Sequence, residues 1–200
     1  MRTQNVSYKL ASQRMNSMTP PEVVNEIFQV FRERGHRAYG EGVTELQHAL
    51  QCATFARQDG EEEAIIAACL LHDYGHLLHD LGEDIADKGV DSRHEHVGAN
   101  RLSKWFIPAV VEPIRLHASA KRYLCWKEPA YFSGLSDASR KSLALQGGPM
   151  TTAEALEFEQ HPHFDRAVRM RRYDDRGKVT DMVTPPIEEF QALLESQVLS

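Results

Sequence analysis

Six residues with metal-ligand chemistry constrain this chain more than any other feature: His48, the adjacent pair His72 and Asp73, then His94, His117 and Asp174. All but the adjacent pair are well separated along a helical sequence, so the ligands come from different helices. Helical folds build dinuclear sites in their core this way. A carboxylate next to a ligating imidazole can bridge two metal ions while the imidazole caps one of them. The pair follows the apolar run AIIAACLL. Burying ionisable groups at the end of a core helix is costly unless they are compensated, and metal ligation compensates them. The competing reading is a helix-end pair capped by solvent. An isolated histidine in a helix is ordinarily a surface or satisfied core residue. His36, His79, His161 and His163 are read so.

The rest of the pattern is all-α. Thr19-Pro-Pro-Glu22 predicts a capped helix start. Val24, Ile27, Phe28 and Phe31 mark its apolar face, and Gly35 ends it. Thr44 with Gln47 caps a second helix, which carries His48 and stops at Asp59-Gly60. Residues 61–73 form a third, with an acidic first turn that complements the helix dipole. Ser92 with Glu95 caps a fourth, running to about Phe106. Pro108 opens a fifth, with His117 near its end. Segments 136–146, 151–160 and 164–173 read as helices, and Pro185-Pro186 start a last one. Strand-like alternation is nearly absent. The Gly- and Asp-rich loop 78–91 is placed to cover a site. Residues 1–18 are expected to be an N-terminal arm and residues 19–200 one domain.

Composition excludes several classes. The net charge of −6 and pI near 5.9 leave no general basic surface for nucleic acid. No apolar run reaches the roughly 18 residues of a membrane span. The start MRTQNVSYKLASQRMN lacks an apolar signal core. Cys52, Cys69 and Cys125 are an odd number without CxxC spacing, which points to reduced thiols in a cytoplasmic protein.

The order His48…His72-Asp73…Asp174 resembles the H…HD…D pattern of the HD-domain superfamily, a helical core that often carries metal-dependent phosphohydrolases. Two further histidines, here His94 and His117, resemble its dinuclear subgroup. The resemblance implies that His48, His72, Asp73 and Asp174 hold one metal. Asp73 bridges, and His94 and His117 hold the second; His96 is the alternative to His94. The segments HASAKRYL (117–124), LSDASRKSLALQGGPM (135–150) and RxxD (171–174) resemble one branch, the HD-domain mixed-valent diiron oxygenases that cleave C–P bonds. That resemblance covers roughly residues 36–182. It implies two iron ions (Fe2+/Fe3+), O2 as co-substrate, an organophosphonate partner and an upstream phosphonate hydroxylase. Oxidation at C1 then yields inorganic phosphate and a carboxylate.

Lys121 follows His117 by four residues and Arg171 precedes Asp174 by three, so on helices each shares a face with its ligand. Two cations beside a metal pair would hold a phosphonate dianion; the bland reading is a solvated basic face. Ser139 and Ser142 could add hydroxyl donors, and Gln146 lies in the same segment. The resemblance makes His76 a contact to the phosphonate or to a ligand rather than a ligand. With Asp73 and Lys121 it forms the expected catalytic set. It also implies a Tyr and a Glu that form a lid over a vacant metal position. Tyr39 and Glu41 match them, with a gap one residue shorter; an ordinary glycine loop is the alternative.

Members of that branch act on 2-amino-1-hydroxyethylphosphonate, giving glycine, or on 1-hydroxy-2-(trimethylammonio)ethylphosphonate, giving glycine betaine. The chain looks more like the trimethylammonio enzymes. Tyr39, Tyr74 and Glu41 are the candidates for contacting a quaternary ammonium. A phosphohydrolase and a non-catalytic phosphate-sensing HD module remain the rival classes.

Overall fold

A computed structural model describes residues 18–39, 41–79 and 92–199. The expected arm and most of the 78–91 loop lie outside the described residues; only Met18 of the arm is within them, packed on the core. The chain forms helices α1 (Pro20–Arg34), α2 (Glu45–Gln58), α3 (Glu63–Leu71), α4 (His94–Leu102), α5 (Pro108–Lys127), α6 (Pro129–Gly134), α7 (Asp137–Leu145), α8 (Thr152–Phe158), α9 (Phe164–Arg176) and α10 (Gln191–Ser196). Short 3-10 turns span Tyr74–Leu78 and Ile187–Phe190. Among the described residues there is no strand beyond isolated bridges at Ala38–Thr44 and Phe106–Val198. No helix there is long and apolar enough to cross a membrane.

Helix α3 is the centre. Every residue from Ala64 to Leu71 is buried, so it is apolar on all sides and needs cover on all sides. Helices α2, α5 and α9 supply most of it, while α1 and α10 pack on each other at the outer edge. Fully burying Ile65, Ile66, Leu70 or Leu71 stabilises by about 1.5–3 kcal/mol each. A second apolar cluster, with Tyr123, Leu124, Phe158 and Ala167, ties α8 to α5 and α9.

Several boundaries differ from expectation, each for a local reason. The third helix ends at Leu71 rather than residue 73. His72 caps it, and Asp73 sits at φ −96°, ψ 11°, in the sparsely allowed region between helix types. The fourth helix is preceded by Arg93 in the left-handed region (φ 48°), so Ser92 is not its cap. It stops at Leu102, well before Phe106. Ile107 must be extended (ψ 153°) to precede Pro108. The fifth helix continues to Lys127, where Glu128 extends ahead of Pro129. His117 therefore lies mid-helix and not near the end. Helix α6 was not foreseen. Helix α9 runs past Tyr173 to Arg176 and so carries Asp174 inside it. Pro185-Pro186 do not open an α-helix; Pro186 is extended and leads into the 3-10 turn.

One close approach positions the site. A Cβ on Gly75 would lie 2.0 Å from the His94 carbonyl oxygen and 2.9 Å from the Gly98 nitrogen. The turn after Asp73 thus lies backbone to backbone on α4. Gly75→Ala is expected to destabilise the fold by about 1–3 kcal/mol in urea unfolding, as other overpacked substitutions do. Gly134→Ala, which meets nothing within 4 Å, is expected to stay within about 0.5 kcal/mol. An unchanged midpoint for Gly75→Ala would contradict the close approach.

Candidate metal centre

The six sequence-selected ligands converge. His48 comes from α2, His72 and Asp73 from the break after α3, His94 from the first turn of α4, His117 from the middle of α5 and Asp174 from the last turn of α9. The Nε2 atoms of His48 and His72 are 3.0 Å apart, and those of His94 and His117 are 2.9 Å apart. Asp73 lies between the pairs with its oxygens divided. Oδ2 is 3.1 Å from His72 and 3.5 Å from His48. Oδ1 is 3.2 Å from His94 and 3.8 Å from His117. Asp174 Oδ1 joins the first pair at 3.5 and 3.7 Å. His96 is exposed and its Nε2 faces Glu95.

The donor chemistry fits metal. Nδ1 of His48 meets the Gly177 carbonyl at 2.8 Å, Nδ1 of His72 that of Cys69 at 2.9 Å, and Nδ1 of His117 that of Ile114 at 2.8 Å. A carbonyl only accepts, so each Nδ1 carries the proton and each neutral ring turns an Nε2 lone pair inward. Two facing lone pairs repel unless a proton or a cation stands between them. Donors about 2.1 Å from one shared ion stand roughly 3.0–3.4 Å apart at right-angle to tetrahedral spacing, close to what is observed.

Protons satisfy this arrangement only on one side. Burial opposes charge on His48, but Cys52, Asp174 and Asp73 outweigh it and hold its pKa above the usual value. His72 is raised against burial by Asp73 and Asp174. His117 is instead held low, by burial and by its neighbour His94. Both carboxylates stay ionised despite burial: His72 is the largest stabiliser of Asp73, and Arg171 of Asp174.

The surrounding residues divide into groups. Lys121 is buried and donates to Ser142 Oγ at 2.8 Å. Burial, then the charge of Arg171, lowers its pKa to about 7. Arg171 is buried and paired: Nη1 donates to Asp174 Oδ2 at 2.5 Å, Nη2 to Asp175, and Nε to Tyr131 at 3.0 Å. Ser139 accepts from Lys178 at 3.2 Å. Gln146 Oε1 is buried and has no hydrogen-bond partner among the described residues. His76 stacks on His94 with centroids 4.0 Å apart, and burial lowers its pKa to about 3. Tyr39 stacks on His48 at 3.8 Å and its hydroxyl is 3.4 Å from Asp174 Oδ1, so it covers the first pair.

Two placements differ from expectation. Glu41 does not reach the ligands: it accepts from Ser136 and pairs with Lys178 at 2.9 Å. Tyr74 points away from the centre into the core beside Phe31, because the chain turns at Asp73. Sequence reasoning also missed Cys52, whose Sγ lies 3.8 Å from both His48 ring nitrogens. Its spacing of four from His48 was the available signal. It missed Lys178 as well, which no local pattern marked.

A family model described as HD domain matches residues 46–156, a stretch with five of the six ligands that ends before Asp174. Hydroxymethylphosphonate dioxygenase of Gimesia maris is 45% identical over 181 residues, 90% of this chain and 90% of the relative. The [1-hydroxy-2-(trimethylamino)ethyl]phosphonate dioxygenase (glycine-betaine-forming) of Leisingera caerulea is 42% identical over 177 residues, 88% of this chain and 90% of the relative. An uncharacterized protein of Acanthamoeba polyphaga mimivirus is 35% identical over 174 residues, 86% of this chain and 80% of the relative. The chain belongs to the HD-domain family, in the branch that holds these phosphonate dioxygenases.

Proposed function

We propose that this protein is an O2-dependent oxidoreductase that cleaves the C–P bond of a 1-hydroxyalkylphosphonate, using two iron ions held by His48, His72, Asp73, His94, His117 and Asp174. The observation that carries this reading is the Asp73 carboxylate, with one oxygen toward each histidine pair. The relatives' names supply the substrate class. The reaction balances without an external electron donor: substrate and one O2 give a carboxylic acid and inorganic phosphate. When bound, the iron pair supplies oxidising chemistry that side chains lack, and imidazole with carboxylate suits iron.

The chain's own residues bind and orient. Two carboxylates among four neutral imidazoles would leave an iron pair with net positive charge, which a phosphonate dianion would offset. Lys121 is the cation we assign to that phosphonate; its burial and its hydroxyl partner Ser142 support the assignment. Arg171 is committed to Asp174 and Asp175 and so orients a ligand. Tyr39 shields the first pair from water until substrate displaces it. Three free cysteines support a cytoplasmic setting. A phosphonate-hydroxylating enzyme would supply the substrate.

Our reading of the headgroup rests on Glu41 and Lys178. The Lys178 ammonium lies 5.8 Å from the Tyr39 ring centroid and pairs with Glu41. Of the three groups expected to receive a quaternary ammonium, Tyr39 and Glu41 already face a cation and Tyr74 points into the core. This favours hydroxymethylphosphonate over the trimethylammonio compound expected from sequence, and over the primary amine.

Iron-loaded protein is expected to release phosphate from hydroxymethylphosphonate in air and not under nitrogen, and faster than from either ammonio compound. Phosphate release from nucleotides under nitrogen would replace the oxygenase with a hydrolase. Asp73→Asn removes the charge shared by both halves and is expected to lower bound metal from two ions to one or none, read by elemental analysis. Lys121 gives a sign-specific test. Its pKa is near 7, and a bound dianion raises it. Above that pH, phosphonate binding should therefore take up a proton, seen as a buffer-dependent binding enthalpy. Lys121→Met should abolish the uptake and weaken binding; uptake that survives in Lys121→Met would exclude this role.

A further inference from the structure

Of the four ligating histidines, three share one arrangement and the fourth departs from it. His48, His72 and His117 each give their Nδ1 proton to a backbone carbonyl within 2.9 Å. His94 Nδ1 faces a carboxylate: Glu95 Oε2 lies 3.6 Å away. Glu95 follows in the first turn of α4, where an acid would commonly face water and the helix dipole. It is buried instead, at 5% exposure. Its Oε2 is buried and has no hydrogen-bond partner among the described residues. Its Oε1 lies 3.8 Å from the exposed His96, too long for a hydrogen bond. The 3.6 Å to His94 is likewise beyond hydrogen-bond range, but a buried carboxylate oxygen is costly to leave without a donor, and the His94 ring nitrogen is a potential donor that faces it. Ser92 Oγ, 3.4 Å from the same nitrogen, is its competitor.

We infer that Glu95 is a positioning residue for the second metal position: with an ion bound at His94, it closes on the ring, accepts the Nδ1 proton in place of Ser92, fixes the tautomer that turns Nε2 inward, and makes this imidazole the most electron-donating of the four. A carboxylate behind a ligating imidazole raises its basicity, which a backbone carbonyl does less. The pair His94 and His117 would otherwise be the poorer half of the site, since Asp174 serves the first pair. The charge of Glu95 offsets that difference and favours the higher oxidation state of the ion held there. This inference rests on the dinuclear reading above. It explains why His94, at the start of a helix with no carbonyl of a preceding turn beneath its ring, can serve as a ligand.

The test is titration of the metal-stripped full-length protein with cobalt(II), followed by calorimetry and visible absorption. Wild type is expected to bind two ions. Glu95→Gln keeps an acceptor of the same shape without the charge, and Glu95→Leu removes both. In Glu95→Gln one of the two binding events should weaken roughly 10–100-fold, with a shift in that site's absorption bands, while the other is unchanged. Glu95→Leu should weaken the same event further, and Ser92→Ala should match wild type. An unchanged urea midpoint for the near-isosteric Glu95→Gln separates positioning from misfolding. Wild-type affinities at both sites in both Glu95 variants would overturn the inference. So would equal loss at both sites, or loss in Ser92→Ala instead. Phosphate release in air reads the oxygenase separately. Two bound ions and no turnover would sink the oxygenase and leave Glu95 standing. Normal turnover with indifferent variants would sink Glu95 alone.

Discussion

A carboxylate buried at the end of a wholly apolar helix is the constraint on which the rest of the structure depends. Asp73 follows eight buried residues of α3, and its two oxygens face two histidine pairs. An ionised group at that depth persists only with compensation. The compensation arrives from α2, α4, α5 and α9 together, so the elements that cover the core also complete the centre. The packing that buries α3 is thus also the packing that aims the candidate ligands.

The aim is set largely by backbone. Carbonyls of residues 69 and 114 each lie three residues before the histidine they hold, at the end of α3 and within α5. The third comes from Gly177, where α9 ends. That glycine is required by contact: a Cβ there would fall 2.3 Å from Cys52 Sγ and 3.1 Å from His48 Nδ1. Gly75 plays the same part on the other side, letting the turn after Asp73 lie on α4. Two close backbone approaches, Gly177 on α2 and Gly75 on α4, therefore bracket the centre. A backbone acceptor of this kind takes the Nδ1 proton and leaves Nε2 as the atom that faces the centre.

The candidate ligands were legible because their chemistry is rare in helical sequence and their order resembles a known pattern. Helix starts were legible where a side chain or proline acts locally, as at Thr19, Thr44 and Pro108. Ends set by tertiary contact were not: α3 stops two residues early because Asp73 is drawn into the ligand cluster. The same turn sends Tyr74 into the core, which spacing from Asp73 could not reveal. The resemblance implies a lid role for Glu41, with an ordinary glycine loop as the alternative. Its actual partner, Lys178, lies far along the chain, and an ion pair across such a separation leaves no periodic trace. Cys52 and Glu95 each stand near a ligand in sequence, but only depth separates a partner from an ordinary thiol or first-turn acid.

The basic residues show how burial assigns roles that charge alone does not. Lys121 and Arg171 look equivalent in sequence, each one turn from a ligand. In the structure Arg171 meets Asp174 and Asp175 with its planar fork, the geometry for which guanidinium is suited. Its charge is spent inside the protein, holding Asp174 in place. Lys121 has a hydroxyl partner, and no carboxylate among the described residues lies within ion-pair distance of it. A buried ammonium in that state loses its proton easily, which is why its pKa falls to about 7. Such a group stabilises an arriving dianion far more than an ammonium already paired. Arg171 is thus held by two carboxylates, whereas the partner of Lys121 among the described residues is a hydroxyl, and that difference in pairing separates two cations that look alike in sequence.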